Sequence, residues 1–151
     1  MAGRYFEQWA VGDRIAHDIR RTVTETDNLL FSTLTHNPQP LHLDAEYARA
    51  SEFGKIVVNS TFSFSLMIGL TVADTTLRTM VANLGYDRIR TPHPVFLGDT
   101  LRAETHVVEV RASRSRPHAG IVVFCHSLLN QREETVCECL RTALLNRRPS
   151  P

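Results

Sequence analysis

The chain has almost no excess of charge of either sign: 17 Lys and Arg stand against 16 Asp and Glu, a formal net charge of +1. A chain that grips nucleic acid or an anionic membrane surface carries a basic excess, so neither partner is expected. Long apolar runs are missing too. The most apolar stretch, Phe62 to Val72, is interrupted by Ser63, Ser65 and Thr71 and is too short to span a bilayer. The opening MAGRYFEQWAVGD has no apolar stretch of the signal-peptide kind. Cysteine is scarce, at 3 residues. Cys137 and Cys139 are one residue apart, and no second pair completes a zinc site. An odd count without framework spacing fits reduced thiols at buried strand positions, so no metal and a cytoplasmic location are expected. The glycine-rich loops that cradle phosphates are also absent, which argues against a nucleotide held in that way, and no cofactor is expected. There is no repeat and no low-complexity linker. With 42% hydrophobic and 22% charged residues, the 151-residue chain is expected to form one domain over 1–151.

What is present divides into a mixed first half and a strand-rich second half. Asp13 to Val23 reads as a strand. Thr24-Glu25-Thr26-Asp27 has the spacing of a helix start, with Leu29, Leu30, Phe31 and Leu34 giving the helix an apolar side. Asn37-Pro38 ends it. Asp44 reads as the N-cap of a short helix to Arg49. Ser60 to Ala73 is the longest helical candidate. Phe62, Leu66, Gly69, Leu70 and Ala73 share one face and Phe64 and Ile68 a neighbouring one, which predicts a buried helix. Its small residues Ser63, Ser65 and Gly69 are expected to let a sheet approach closely. From Met80 the period falls to 2: MVANLGYDRI, TLRAETHVVEV, GIVVFCHSLLNQ and ETVCECLRTALLN read as strands, the first bent at Gly85. A long buried helix followed by a strand meander predicts an α+β fold, an antiparallel sheet curled around the helix, as in a hot-dog fold.

HNPQPLHLD, from His36 to Asp44, is the chemically dense segment. Pro38 and Pro40 are expected to forbid a helix and hold the backbone extended or turning. Such a rigid segment could present His42 as a positioned imidazole, or merely stop a helix at the surface. FSTLTHNPQPLHLDAEYARASEFGKIVVNS resembles the hydratase motif of MaoC-like dehydratases, the (R)-specific enoyl-CoA hydratases. PVFLGDTL resembles that family's second fingerprint. VADTTLRTMVANLGY and RSRPHAGIVVF are similar to the branch that handles mesaconyl-CoA or itaconyl-CoA.

The resemblance implies a hot-dog fold and an enzyme that adds water across the 2,3 double bond of an enoyl-CoA thioester, or removes it. It places His42 on the family's catalytic histidine. Asn37 falls where the family has its catalytic aspartate, Gln39 on its asparagine, and Asn59 on the histidine before its oxyanion glycine. Ser60 takes that glycine's place, and its backbone N–H could still hold the thioester oxygen. Asn37 can orient water but cannot take its proton. Three readings therefore stay open: His42 works with Asn37 as positioner, another group such as His36 or Asp44 substitutes, or the protein binds acyl-CoA without hydrating it. A thioesterase on the same fold is a further alternative. For the substrate, the resemblance implies an acyl-CoA thioester, with a short branched or dicarboxylic acyl group as one option. Gln39, Asn59, Arg114 and Arg116 are candidate substrate contacts, the arginines toward coenzyme A phosphates. The resemblance also implies a homodimer or dimer of dimers. A heterodimer whose other chain carries the missing aspartate remains an alternative.

Overall fold

The computed structural model describes residues 3–149; residues 1, 2, 150 and 151 of the expected 1–151 domain lie outside the described residues. Five strands form one sheet: β1 (Arg14–Thr22), β2 (Met80–Arg90), β3 (Thr100–Ala112), β4 (Ala119–Leu129) and β5 (Thr135–Asn146). Their order is β1-β3-β4-β5-β2, and every neighbouring pair is antiparallel. The hairpins β3–β4 and β4–β5 follow the predicted meander. β2 crosses to the far edge beside β5, and its register shifts around Asn83 and Gly85, where a bend was expected.

Four helices precede or interrupt the strands: α1 (Glu25–Leu34), α2 (Pro40–Leu43), α3 (Ala45–Arg49) and α4 (Ser60–Thr75). α1 opens on the predicted cap. The Thr24 hydroxyl accepts from the Asp27 N–H while Asp27 reaches back to the Thr24 N–H at 2.8 Å. Asp44 caps α3, its carboxylate accepting from the N–H groups of Glu46 and Tyr47. The proline-rich segment departs from expectation, because Pro40 starts the single turn α2. At the first helical position a proline loses no intrahelical bond and its fixed φ suits the helix.

α4 lies against the concave face of the sheet. Met67 and Leu70 pack on Leu101, Ala103, Leu128, Val136, Cys137 and Cys139. The expected face of α4 is corrected by the structure. The buried set is Ser63, Met67, Leu70, Thr71 and Thr75, while Ser65 and Gly69 point outward and admit no close approach by the sheet. α1 is likewise turned from its predicted orientation: Asn28 and Ser32 are buried, and Leu29, Leu30 and Leu34 are exposed. Beyond α4, Phe6 and Trp9 cover the other end of the sheet face over Val107, Val122, Phe124, Ala143 and Leu145. Gly120 lies under the Phe6 ring, where an added Cβ would come within 2.2 Å of a ring carbon.

Between these two apolar clusters the inward positions of three strands are polar. Thr105 falls between Ala103 and Val107, His126 between Phe124 and Leu128, and Arg141 between Cys139 and Ala143. Asp74 at the end of α4 accepts from His17 Nδ1 at 2.7 Å, and His17 Nε2 and His126 Nδ1 each lie 2.8 Å from Thr105 Oγ1. Burial, reinforced by the nearby Arg141, His17 and His106, pushes the His126 imidazole down to about 3. The cysteines are unpaired; burial raises the thiols of Cys137 and Cys139 to about 11 and about 12, which keeps them protonated and inert.

Candidate active site

The site forms where α1 ends, α2 turns and α4 begins. α1 stops in a Schellman arrangement: the Asn37 N–H donates to the Ser32 carbonyl at 2.9 Å and the His36 N–H to the Thr33 carbonyl at 3.2 Å. His36 occupies the left-handed position with φ 54°, a place usually taken by glycine. Its role is to end the helix. Asn37 Oδ1 then accepts from the Gln39 N–H at 3.1 Å, so the side-chain oxygen shapes the turn into Pro40 and its Nδ2 group remains to face a ligand. The Gln39 side chain is exposed and makes no cap bond.

His42 sits half-buried on α2. Its Nδ1–H donates to the Val57 carbonyl at 2.7 Å, and the Val57 N–H donates in return to the Leu41 carbonyl at 3.3 Å. Donation through Nδ1 fixes the tautomer, so a neutral ring keeps its lone pair on Nε2. An amide clamp sets the geometry around it. Asn28 Nδ2 donates to the His42 carbonyl at 2.8 Å, and Asn28 Oδ1 accepts from the Asn59 N–H at 2.9 Å. Asn59 Nδ2 reaches Ser32 Oγ at 3.2 Å, while Asn59 Oδ1 caps α4 by accepting from the Thr61 N–H at 3.1 Å. Asn28, Ser32 and Asn59 are at most 2% exposed. The expected substrate contact from the Asn59 side chain is corrected: both ends of its amide are engaged inside the protein, where they pin α1 to α4, and Asn28 adds the tie to α2.

Ser60 is the exposed first residue of α4. Among the described residues its N–H has no protein acceptor, whereas the N–H groups of Phe62 and Ser63 bond to the Asn59 carbonyl. A free N–H at the positive end of a 16-residue helix is a donor aimed at developing negative charge. Beside it lies a cavity of about 210 Å³ whose walls include Val58, Val95 and Val136, with Ser60, Ser63 and His93 among its polar groups. None of the residues that line it is a carboxylate.

His42, Asn37, Gln39 and Ser60 are brought to this one region. Arg114 and Arg116 are not. They occupy the exposed turn after β3, whereas the α4 entrance adjoins the other end of that strand, where Val58 bonds to Val95 and Val23 to Asp99. A strand of 13 residues separates the two ends by about 40 Å. Asp74, the helix carboxylate relevant to a thioesterase, bonds to His17 and stands about 21 Å along α4 from Ser60. Three contributors escape the motif: Asn28, Ser32 and His93. The first two are polar residues four apart that share one face of α1, a signal that the leucines outweighed. His93 lies between Pro92 and Pro94, and its Nδ1–H donates to the Thr135 carbonyl at 2.9 Å.

A sheet wrapped around one long helix is a hot-dog fold, here with a histidine and a free helix-terminal N–H at that helix's entrance. Residues 6–124 match the MaoC like domain, and the chain belongs to this family. It is 37% identical over 147 residues to a mesaconyl-CoA hydratase of Cereibacter sphaeroides, an alignment that covers 97% of this chain and 42% of that protein. The chain therefore spans less than half the length of that curated relative. It superposes on a structure described as a monoamine oxidase regulatory protein of Archaeoglobus with TM-score 0.87 and 33% identity, over 99% of this chain and 98% of the other. A Mycobacterium tuberculosis protein described as having a double hotdog fold shares the fold at TM-score 0.89 and 22% identity, with 99% of this chain covering 46% of it.

Proposed function

We propose that this chain hydrates a short enoyl-CoA, or dehydrates the corresponding 3-hydroxyacyl-CoA, with His42 and the Ser60 N–H as its working groups. The observation that carries the reading is the pairing of two unspent groups anchored on one short segment: His42 Nε2, fixed through Val57, and the N–H of Ser60. The thioester oxygen accepts from Ser60 as charge builds on it. Water gives a proton to His42 Nε2 and its oxygen adds to the β-carbon; the enolate then takes a proton at the α-carbon, returned by the imidazolium. Asn37, with its oxygen held by Gln39, offers Nδ2 to orient that water. In this reading Gln39, exposed at the start of α2, is a further substrate contact. The name of the Cereibacter sphaeroides relative supports a short dicarboxylic or branched acyl group.

A second reading, an acyl-CoA-binding subunit without turnover, is favoured by the amide at Asn37. The exposed Leu29, Leu30 and Leu34 and the open edge β2, with Leu84 and Ile89 exposed, support assembly as a homodimer, a dimer of dimers or a pair with a related chain that supplies a carboxylate. Among the described residues no helix is long and apolar enough to cross a membrane. The unpaired cysteines suit the reducing conditions of a cytoplasmic location.

The test follows the conjugated absorbance of crotonyl-CoA and mesaconyl-CoA, together with thiol release, in the wild type and in Asn37→Asp. The reading expects absorbance loss without thiol release in the wild type. Turnover confined to Asn37→Asp would instead support the binding-subunit reading.

A further inference from the structure

Ser63 is 2% exposed and lines the cavity beside the α4 entrance, yet its Oγ has no hydrogen-bond partner among the described residues. Buried hydroxyls in native proteins are almost always satisfied, so an orphan that lines a cavity is a group available to a ligand or a water. His93 lines the same cavity. The flanking Pro92 and Pro94 stiffen its backbone, and the Thr135 carbonyl fixes its Nδ1 side, leaving Nε2 as the ring's remaining polar atom. The segment that carries it is tied to the helix entrance by the Val58 N–H to Val95 carbonyl bond of 2.8 Å and by the bridge between Val57 and Phe96. Most of the remaining walls, among them Phe53, Val57, Val58, Val95 and Val136, are apolar, and Thr91 adds one hydroxyl near the rim beside His93.

We propose that Ser63 and His93 form a specificity subsite for a carboxylate at the far end of the acyl group. The inference rests on the hydratase reading for its orientation, with the thioester carbonyl at the Ser60 N–H and the acyl chain directed into the cavity. A terminal carboxylate there accepts from the Ser63 hydroxyl and, when both ring nitrogens of His93 carry a proton, from His93 Nε2–H. The N-terminal end of α4 adds a favourable field for the anion. A plain alkyl chain fills the apolar walls but leaves the Ser63 hydroxyl without a partner, and a site built to bond a polar group discriminates against the analogue that lacks it. The cavity volume of about 210 Å³ suits an acyl group of a few carbons.

The test is equilibrium binding by calorimetry of succinyl-CoA and butyryl-CoA, which share a four-carbon acyl skeleton and differ in the terminal carboxylate. The full chain is used, as wild type, Ser63→Ala and His93→Gln. Wild type is expected to prefer succinyl-CoA by at least about tenfold, and each variant to lower that ratio at least about fivefold. His93 is exposed, so His93→Gln remains informative if the buried change at Ser63 disturbs folding. Equal affinities in the wild type, a ratio unchanged in the variants, or binding of neither ligand overturns the subsite. A succinyl-CoA preference in a protein that hydrates no enoyl-CoA would sink the hydratase reading and leave the subsite standing; turnover without preference would do the reverse.

Discussion

Asn59 shows how one buried amide can govern a site without touching the reacting atoms. Its side chain caps α4 and holds Ser32, and its backbone N–H donates to Asn28, whose own amide grips the His42 carbonyl. Asn59→Ala removes a cap, worth about 1 kcal/mol, and leaves buried polar groups unpartnered, worth about 1–3 kcal/mol more. Urea unfolding is expected to show a loss of about 2–4 kcal/mol with an unchanged m-value. At this scale the Asp44 cap was legible in the sequence because capping is a local signal, whereas His42 was singled out by the resemblance of its segment to a family motif. Ser63 and His93 were not read as a pair. They lie 30 residues apart and line one cavity where the Val58 N–H donates to the Val95 carbonyl and ties the two segments together.

Elements were legible where one force dominated. β3 alternates cleanly, with Leu101, Ala103, Thr105 and Val107 inward, because its outer face meets water and its inner face meets α4. α1 misled because two demands competed on it. Its leucines suggest an inward face, but Asn28 and Ser32 must point inward to satisfy the clamp, so the leucines are left outside. The N-terminal segment depends on a different match, the Phe6 ring lying on Gly120. Gly120→Ala drives a methyl group into that ring, and overpacking of this kind costs about 1–3 kcal/mol. A lowered melting temperature with unaltered ligand binding is the expected result, since Gly120 sits at the end of the sheet away from Ser60.

At the scale of the whole molecule, the polar layer through Thr105, His126 and Arg141 divides the core and gives the fold an acid weakness. His126 ionises in the folded protein only near pH 3, whereas in the unfolded chain it takes a proton near pH 6.5. Over that interval the unfolded state binds more protons, so stability rises with pH and is lost as pH falls from about 6.5 toward about 3. The loss is on the order of a few kcal/mol. His126→Gln has no imidazole to titrate, and its urea midpoint is expected to fall less steeply over the same interval than that of the wild type. Parallel curves would show that His126 is not the group responsible. This layer was hidden in the sequence, since alternation alone assigns His126 and Arg141 to buried positions without showing that they share a level.

The central claim, that His42 moves the proton in an enoyl-CoA hydration, is tested most directly by following the conjugated absorbance of the substrate that turns over best, in the wild type and in His42→Ala. The account predicts that kcat falls at least about 100-fold in the variant while acyl-CoA binding by calorimetry is retained. Hydration by His42→Ala within a few-fold of the wild-type rate would contradict it.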